Sequence, residues 1–452
     1  MSGMTGAALR GRLAWSIIDQ AALSAFSLGL NLILMRTWGP ALFGIFAIIL
    51  AITMVGYSVQ QALIGSQLAV LRPQALDPSD EKTLLASFWM ANWFLTALLM
   101  ATTYTVLALA WHDDFPTLAI SGALFVGCAL LREYARCLLF SELRVGEVLV
   151  TDLVFVGAAI VGLSLVWAGT VDLAQILLVV AGANLIAFIL PVLRHPGHFA
   201  LRFSRSVYVR YWNIWQHQSR WALLGVASWE ILNRVHVFII GSWFGVAAVG
   251  VIQAGEMIFR PLGLVLQAWR RIAQPTFAKL FAGHEYAQSR AFAHVSALCA
   301  VFVSVAFMVT LWAAWDLLET YVFRGQYGNI ELVASLWAMV MMLRLISGVY
   351  STQLEGCARF RELSFTSLAG ASVALVGLIL VLAFGSYEWS ILAIAAGFSV
   401  DILMVLVFLS RIFGKDAQRS SPETSESLSR ALAAFKGGPD VRQRLSGLQP
   451  SK

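Results

Sequence analysis

Charged side chains are scarce in this sequence. Only 12% of its 452 residues are charged and 59% are hydrophobic, whereas soluble domains carry roughly 25% charged residues. An ordinary soluble domain is therefore excluded. The net charge of +6 does not indicate a nucleic-acid partner, because the cations stand between hydrophobic runs and in the C-terminal tail. The sequence predicts a protein embedded in a membrane.

Residue patterns for metal binding and catalysis are also lacking. The four cysteines have no C-x-x-C spacing, and the seven histidines show no metal-ligand spacing. No H-E-x-x-H, G-x-S-x-G or Walker loop occurs. We therefore predict no catalytic residues, no metal and no cofactor. A membrane-bound glycan polymerase or ligase is a distant alternative, since the predicted outer loops are too short to hold a catalytic site.

Long apolar runs predict twelve membrane-spanning helices, because a hydrocarbon core of about 30 Å takes roughly 20 helical residues. The runs lie at about 14–36, 42–69, 84–111, 116–137, 148–168, 172–193, 219–241, 246–269, 290–318, 331–354, 362–385 and 389–412. The predicted fold class is thus an all-α polytopic membrane protein.

Lys and Arg predict the orientation of these spans. With the N-terminus inside, the outer loops hold only Arg36 and Arg324, and the other loop cations face the cytoplasm. Cytoplasmic loops of membrane proteins are enriched in Lys and Arg. Both termini are therefore predicted to be cytoplasmic.

The runs divide the chain into four segments. Residues 1–193 and residues 219–412 hold six spans each. Residues 194–218 place apolar side chains at helical spacing with arginines elsewhere on the wheel, which predicts an amphipathic linker helix on the inner leaflet. Residues 413–452 are rich in Ser, Lys and Arg and predict a disordered cytoplasmic tail.

A short internal repeat relates the two halves. Gly39 and Gly44 stand 206 residues before Gly245 and Gly250. Chance is the alternative, since glycine is common in membrane helices, but both pairs occur where the first helix of a half turns into its second. This favours a duplication. Because six spans is an even number, both halves enter from the same face and the predicted repeat is parallel.

A family resemblance is carried by two runs, LNLILMRTWGPALFGIFAI at residues 30–48 and VFIIGSWFGVAAVGVIQAGEMIFRPLGLVLQAWRRIAQPTFAKL at residues 237–280. The first has a leucine-rich span ending in Arg36, then Gly-Pro and Phe-Gly. The second includes Pro261 and Pro275. With the span count and two-half layout, the chain resembles bacterial polysaccharide transporters of the O-antigen flippase (Wzx-like) type. These belong to the MOP superfamily, with multidrug exporters and lipid II flippases.

That resemblance implies two parallel six-helix bundles around a central cavity lined mainly by spans 1, 2, 7 and 8. It implies a flippase that turns an undecaprenyl-pyrophosphate-linked oligosaccharide from the inner to the outer leaflet of the bacterial inner membrane by alternating access. Membrane lipids and glycan polymerase or export machinery are the other implied partners. A cation-coupled multidrug exporter of the same superfamily is the alternative.

Polar residues inside the spans are the candidate site residues. An ionisable side chain there costs about 2.5 to 3.5 kcal/mol on insertion scales. Arg234, Arg260 and Arg344 are predicted to bind a pyrophosphate or an acidic sugar, because guanidinium groups suit phosphate oxygens. The other predicted substrate-binding residues are Glu230, Glu256, Gln60, Gln61 and Asn233.

Two acid–base pairs leave an alternative open. Glu230 stands four residues before Arg234, and Glu256 four before Arg260. This spacing places each pair within ion-pair reach on one helix face. The carboxylates would then neutralise the arginines and stabilise the bundle instead of leaving the cations for a substrate.

Asp19 is a separate candidate. It lies in the inner third of span 1, and Arg12 is its only sequence-local cation. We predict that it binds a coupling proton or sodium ion. Pairing with another helix is the alternative.

Overall fold

The computed structural model describes residues 6–72, 77–110, 115–167, 172–357 and 359–436. These residues are almost entirely helical and include no β-strand. Among the described residues, eleven helices are long and apolar enough to cross a membrane, and there are twelve such spans if the bent pair Val246–Ile258 and Arg260–Ala282 counts as one span. The predicted all-α polytopic fold is confirmed.

The first bundle contains six spans. They are α1 (Gly6–Thr37), α2 (Pro40–Leu71), α3 (Pro78–Ala110), α4 (Phe115–Ser141), α5 (Val145–Val166) and α6 (Leu173–Arg194). Pro40 begins α2, where the absence of its N–H removes no helical hydrogen bond. A π-helical turn at Gln61–Gly65 interrupts the regular geometry of α2.

The linker and the second bundle follow. The linker holds α7 (Arg205–Ile214), and the bundle holds α8 (Arg220–Phe244), α9 (Val246–Ile258), α10 (Arg260–Ala282), α11 (Tyr286–Ala313), α12 (Ile330–Gly356), α13 (Phe360–Phe384) and α14 (Ser390–Lys436). The Ser204 hydroxyl caps α7 by accepting from the Val207 N–H. Val207 and Ile214 are buried, and α7 packs on α3. The linker is thus attached to the first bundle.

Two features differ from the sequence expectations. Helix α14 continues to Lys436, where a disordered tail was predicted from residue 413; residues 437–452 lie outside the described part. The predicted span at 246–269 is bent by 49° between α9 and α10. Pro261 explains the bend, because it has no N–H to donate to the carbonyl one turn earlier and its ring crowds that carbonyl.

Arginines distinguish the two ends of the bundles. We name the end that carries Arg72, Arg144, Arg194 and Arg270 the basic end, and the end that carries the turn at Gly39 the opposite end.

The two bundles meet closely at the opposite end, where α2 crosses α9. A Cβ atom at Gly44 would overlap the carbonyl oxygen of Val246, and one at Gly250 would overlap that of Pro40. Pro40 and Val246 are separated by 206 residues, as are Gly44 and Gly250. The contact is therefore reciprocal, as a twofold relation between parallel halves requires. The repeated glycines lack a Cβ atom and so allow the two helices to pack closely.

The bundles part toward the basic end on one side. Helix α2 continues along α8, whereas α10 bends away and packs on α11 and α12 of its own bundle. At the basic end, α10 is therefore packed on its own bundle and not closely on the first bundle.

Candidate functional site

A polar cluster lies on α8, α9 and α12 of the second bundle. Glu230 pairs with Arg234 at 2.8 Å, one helical turn later. The hydroxyl of Ser58, on α2 of the first bundle, donates to the other oxygen of the Glu230 carboxylate at 2.6 Å. Glu230 therefore connects Arg234 to the opposite bundle.

Arg344 joins this cluster from α12. Its guanidinium lies 3.5 Å from a carboxylate oxygen of Glu256 and donates a hydrogen bond to the side-chain oxygen of Asn233. The amide of Gln253 donates to the second Glu256 oxygen at 2.7 Å. Glu256 is thus held by α12 and by its own helix.

The predicted ion pair between Glu256 and Arg260 does not form. The helix breaks at Phe259, between the two residues, so the geometry of a continuous helical turn is lost. Arg260 is half-buried, and within the described residues its guanidinium has neither a hydrogen bond nor an ion pair. The charge of Arg260 nevertheless interacts with the charges of Glu256, Arg234 and Arg344. Arg260 therefore belongs to the same cluster.

The cluster has an excess of positive charge. Three arginines face two glutamates, and the carboxylates are engaged by Arg234 and Arg344. Arg260 therefore keeps its five N–H donors for a ligand. A guanidinium with free donors matches the paired oxygens of a phosphate or carboxylate.

A second charged cluster lies inside the first bundle. Asp152 on α5 pairs with Arg132 and with Arg136 of α4, both at 2.7 Å. Arg136 also pairs with Glu133 at 2.6 Å and with Asp19 of α1 at 3.4 Å. Three carboxylates thus face two guanidinium groups, and this cluster has an excess of negative charge.

Asp19 is buried, with 2% of its surface exposed. One of its carboxyl oxygens accepts from Arg136 at 3.4 Å, and the Asp152 carboxyl group lies close to it. The other oxygen has no hydrogen-bond partner among the described residues. The free oxygen of Asp19 can therefore accept a proton or another small cation.

Sequence reasoning did not assign Arg132, Arg136 and Asp152 to a site. All three are ionisable residues within predicted spans, and the four-residue spacing of the two arginines places them on one face of α4. That spacing was the available signal. Their convergence with Asp19 required the tertiary structure, because Arg136 is 117 residues from it.

Gln60 and Gln61 have different environments. Gln60 is buried inside the first bundle, where its amide donates to Asn92 at 2.5 Å and to the Leu130 carbonyl at 2.8 Å. Gln61 is exposed, and its side-chain oxygen lies 3.4 Å from the thiol of Cys137. The structure therefore places Gln60 within the bundle and Gln61 on its surface, at the start of the π-helical turn.

Solved transporters share this fold. An inward-facing multidrug resistance MATE family transporter of the MOP superfamily matches with a TM-score of 0.65 and 11% identity, over 88% of this chain and 95% of that chain. Lipid II flippase MurJ in an inward closed conformation matches with a TM-score of 0.68 and 11% identity, over 94% of each chain. The eukaryotic MATE transporter AtDTX14 matches with a TM-score of 0.55 and 15% identity, over 91% of this chain and 99% of that chain.

These likenesses show that the chain has the MOP-superfamily fold. No protein-family model matches the chain, and no curated protein matches its sequence. Multi-pass membrane proteins of this architecture include both drug transporters and a lipid-precursor flippase, as their names state.

Proposed function

We propose that this protein is a flippase of the bacterial inner membrane. Its cargo is an oligosaccharide linked to undecaprenyl pyrophosphate, the precursor of a surface polysaccharide such as O-antigen or exopolysaccharide. The observation that carries the proposal is the positive excess of the second-bundle cluster, with Arg260 unpaired among the described residues. A pyrophosphate supplies the anionic oxygens that such a cation binds.

The bend of α10 toward its own bundle supports an entry route from the basic end. The headgroup would enter beside α10, where the bundles part, and reach Arg260 first. Binding to Arg234 would then compete with Glu230, which is also held by Ser58 of the other bundle. Loss of that link would loosen the contact between α2 and α8. The bundles would rock about their crossing at the opposite end while the prenyl chain stays in lipid.

Asp19 is proposed to bind the coupling ion, a proton or Na⁺. The support is the contact between Asp19 and Asp152 and the negative excess of the first-bundle cluster. Glycan polymerase or export machinery is proposed as a partner that receives the cargo in the outer leaflet.

The same negative excess favours a second candidate function, a cation-coupled multidrug exporter. Acidic groups in a transporter attract organic cations, and solved structures with this fold include multidrug MATE transporters. The two functions differ in the charge of their cargo. The unpaired Arg260 favours an anionic cargo.

Deletion of the gene tests the proposed function. We expect one surface glycan to disappear while its lipid-linked precursor accumulates in the inner leaflet. Wild type and Arg324→Ala should restore export to the deletion strain, whereas Arg260→Ala should lower it about tenfold, the equivalent of ~1.4 kcal/mol of lost binding. Arg324 is the matched control because it is exposed at the opposite end.

Protein abundance must be equal in all strains, so that a folding defect is separated from a transport defect. Normal glycans with altered drug tolerance in the deletion strain would refute the flippase and favour the exporter. Full export by Arg260→Ala would refute the anion-binding role. Asp19→Asn should abolish the dependence of export on the ion gradient, and an unchanged dependence would refute its coupling role.

A further inference from the structure

Asp401 is a buried carboxyl group that the proposed mechanism does not use. It lies on α14, with 3% of its surface exposed. The Ser347 hydroxyl of α12 donates to one carboxyl oxygen at 2.5 Å. The Thr366 hydroxyl of α13 lies near the carboxyl group and donates to the Leu363 carbonyl at 2.9 Å. The other carboxyl oxygen is buried and has no hydrogen-bond partner among the described residues.

The surrounding helices approach closely enough to keep water out. A Cβ atom at Gly370 of α13 would lie 2.8 Å from the Gly397 carbonyl oxygen and 3.2 Å from the Cβ atom of Asp401. On the other side, a Cβ atom at Gly397 would lie 2.9 Å from the Leu232 side chain of α8. Small residues thus allow three helices to enclose this carboxyl group.

No cation in the described residues pairs with Asp401. On α12, the nearest charged group is Arg344, which is directed to Glu256 and Asn233. On α8, the charges of Glu230 and Arg234 pair with each other.

Helix α13 carries charge only in its first turn. There Glu362 pairs with Arg359 at 3.5 Å, and Arg361 stacks on Phe365. Thr366, Gly370 and the residues between them are uncharged. Each helix around Asp401 therefore presents hydroxyl or apolar groups to it.

An ionised carboxylate in such a place would lack both water and a counter-charge, which is strongly unfavourable. We propose that Asp401 holds an exchangeable proton and is a second proton-binding site of this protein, separate from Asp19 and Asp152. Two hydroxyl groups and one free carboxyl oxygen suit a proton better than a metal ion, which needs a fuller shell of oxygen ligands.

The proton on Asp401 would also control Arg344. The Arg344 guanidinium lies 5.9 Å from the ring centre of Phe398, which is one helical turn before Asp401. Loss of the proton would create a carboxylate that competes with Glu256 for this cation. This step rests on the proposed function, because it assumes that Arg344 contacts the cargo; the proton site itself does not.

Infrared difference spectroscopy on the full chain in lipid nanodiscs tests the site without any transport assay. We expect a carboxylic-acid C=O band that is lost on alkalinisation. Asp401→Asn should remove this band, and Glu331→Gln, at an exposed acid of α12, should leave it unchanged. Ser347→Ala should keep the band but shift its frequency, because the donated hydrogen bond is lost.

Several outcomes would overturn the proposal. The first is that Asp401→Asn removes no carboxylic-acid band. The second is that the band is lost when Na⁺ is added at constant pH, which would make Asp401 a sodium site. If Asp401→Asn is not monodisperse, Ser347→Ala decides alone: a band that does not shift would also overturn the proposal. Because none of these readouts depends on the cargo, failure here is distinguishable from failure of the flippase function.

Discussion

At Glu142, neighbouring charges together have a larger effect on the pKa of the carboxyl group than its burial has. It follows α4 at the basic end, where Arg72 at the end of α2 pairs with it at 2.6 Å and with Glu81 of α3 at 2.8 Å. His198 of the linker lies 3.1 Å away. Burial acts to raise the pKa of the Glu142 carboxyl, but the hydrogen bonds and charges of His198 and Arg72 outweigh it and lower the pKa to about 2.

This lowered pKa predicts acid sensitivity. A carboxylate whose pKa is lower in the folded state stabilises the fold above its unfolded pKa, and the stabilisation is lost as the pH falls through the folded value. We expect the contribution of Glu142 to fade between about pH 4.5 and pH 2. Glu142→Gln should lower the stability of the purified protein at neutral pH by ~1–3 kcal/mol and should flatten the pH dependence in that window. Thermal unfolding in detergent at a series of pH values measures both. If Glu142→Gln kept the full acid sensitivity of the wild type, groups other than Glu142 would be responsible for that sensitivity.

Individual ion pairs were predictable from the sequence only within a continuous helix. The pair Glu230–Arg234 forms as its four-residue spacing predicts. The same spacing failed for Glu256 and Arg260, because Pro261 breaks the helix between them. Pairs between helices, such as Arg344 with Glu256, depend on tertiary packing and have no local signature.

At the scale of elements, the crossing of α2 and α9 is the contact most sensitive to added volume. A methyl group at Gly44 would collide with the backbone of Val246, and a backbone atom cannot move aside as a flexible side chain can. Gly44→Ala should therefore separate the helices and lower stability by ~1–3 kcal/mol. It should also make the opposite end more accessible to water-soluble thiol reagents, measured with a cysteine introduced at Thr37.

Gly157→Ala is the matched control, because Gly157 lies within α5 and a Cβ atom there meets nothing within 4 Å. It should leave both stability and accessibility unchanged. If Gly44→Ala behaved like this control, the crossing would not be a close contact in the membrane.

The elements themselves were largely predictable, because each apolar run of about 20 residues has to form a helix in lipid. The bend at Phe259 was not predicted, since hydropathy averages over both sides of a break. The sequence signal for this bend was Pro261, because a proline disturbs the helical geometry of the residues just before it. The continuation of α14 to Lys436 was also missed, because a polar composition alone does not exclude a helix.

At the scale of the whole molecule, the two halves share the same arrangement of helices but differ in the charge of their polar clusters. The first-bundle cluster holds more carboxylates than guanidinium groups, and the second-bundle cluster holds the reverse. Sequence repeats predicted the common plan through Gly44 and Gly250. They could not predict this division of charge, because the charged residues lie outside the repeated segment and converge from different helices.

The orientation of the whole molecule decides which leaflet the cavity serves. Because cytoplasmic loops carry the positive charge, the basic end should face the cytoplasm. There α10 packs on its own bundle, and lipid-linked precursors are proposed to enter beside it. In a variant whose four cysteines are replaced, we introduce Lys82→Cys at the basic end or Arg324→Cys at the opposite end, two exposed positions. In intact cells a membrane-impermeant maleimide should label Arg324→Cys alone, and permeabilisation should expose Lys82→Cys as well. Labelling of Lys82→Cys without permeabilisation would mean that the basic end faces outward, and it would remove the entry route on which the flippase proposal depends.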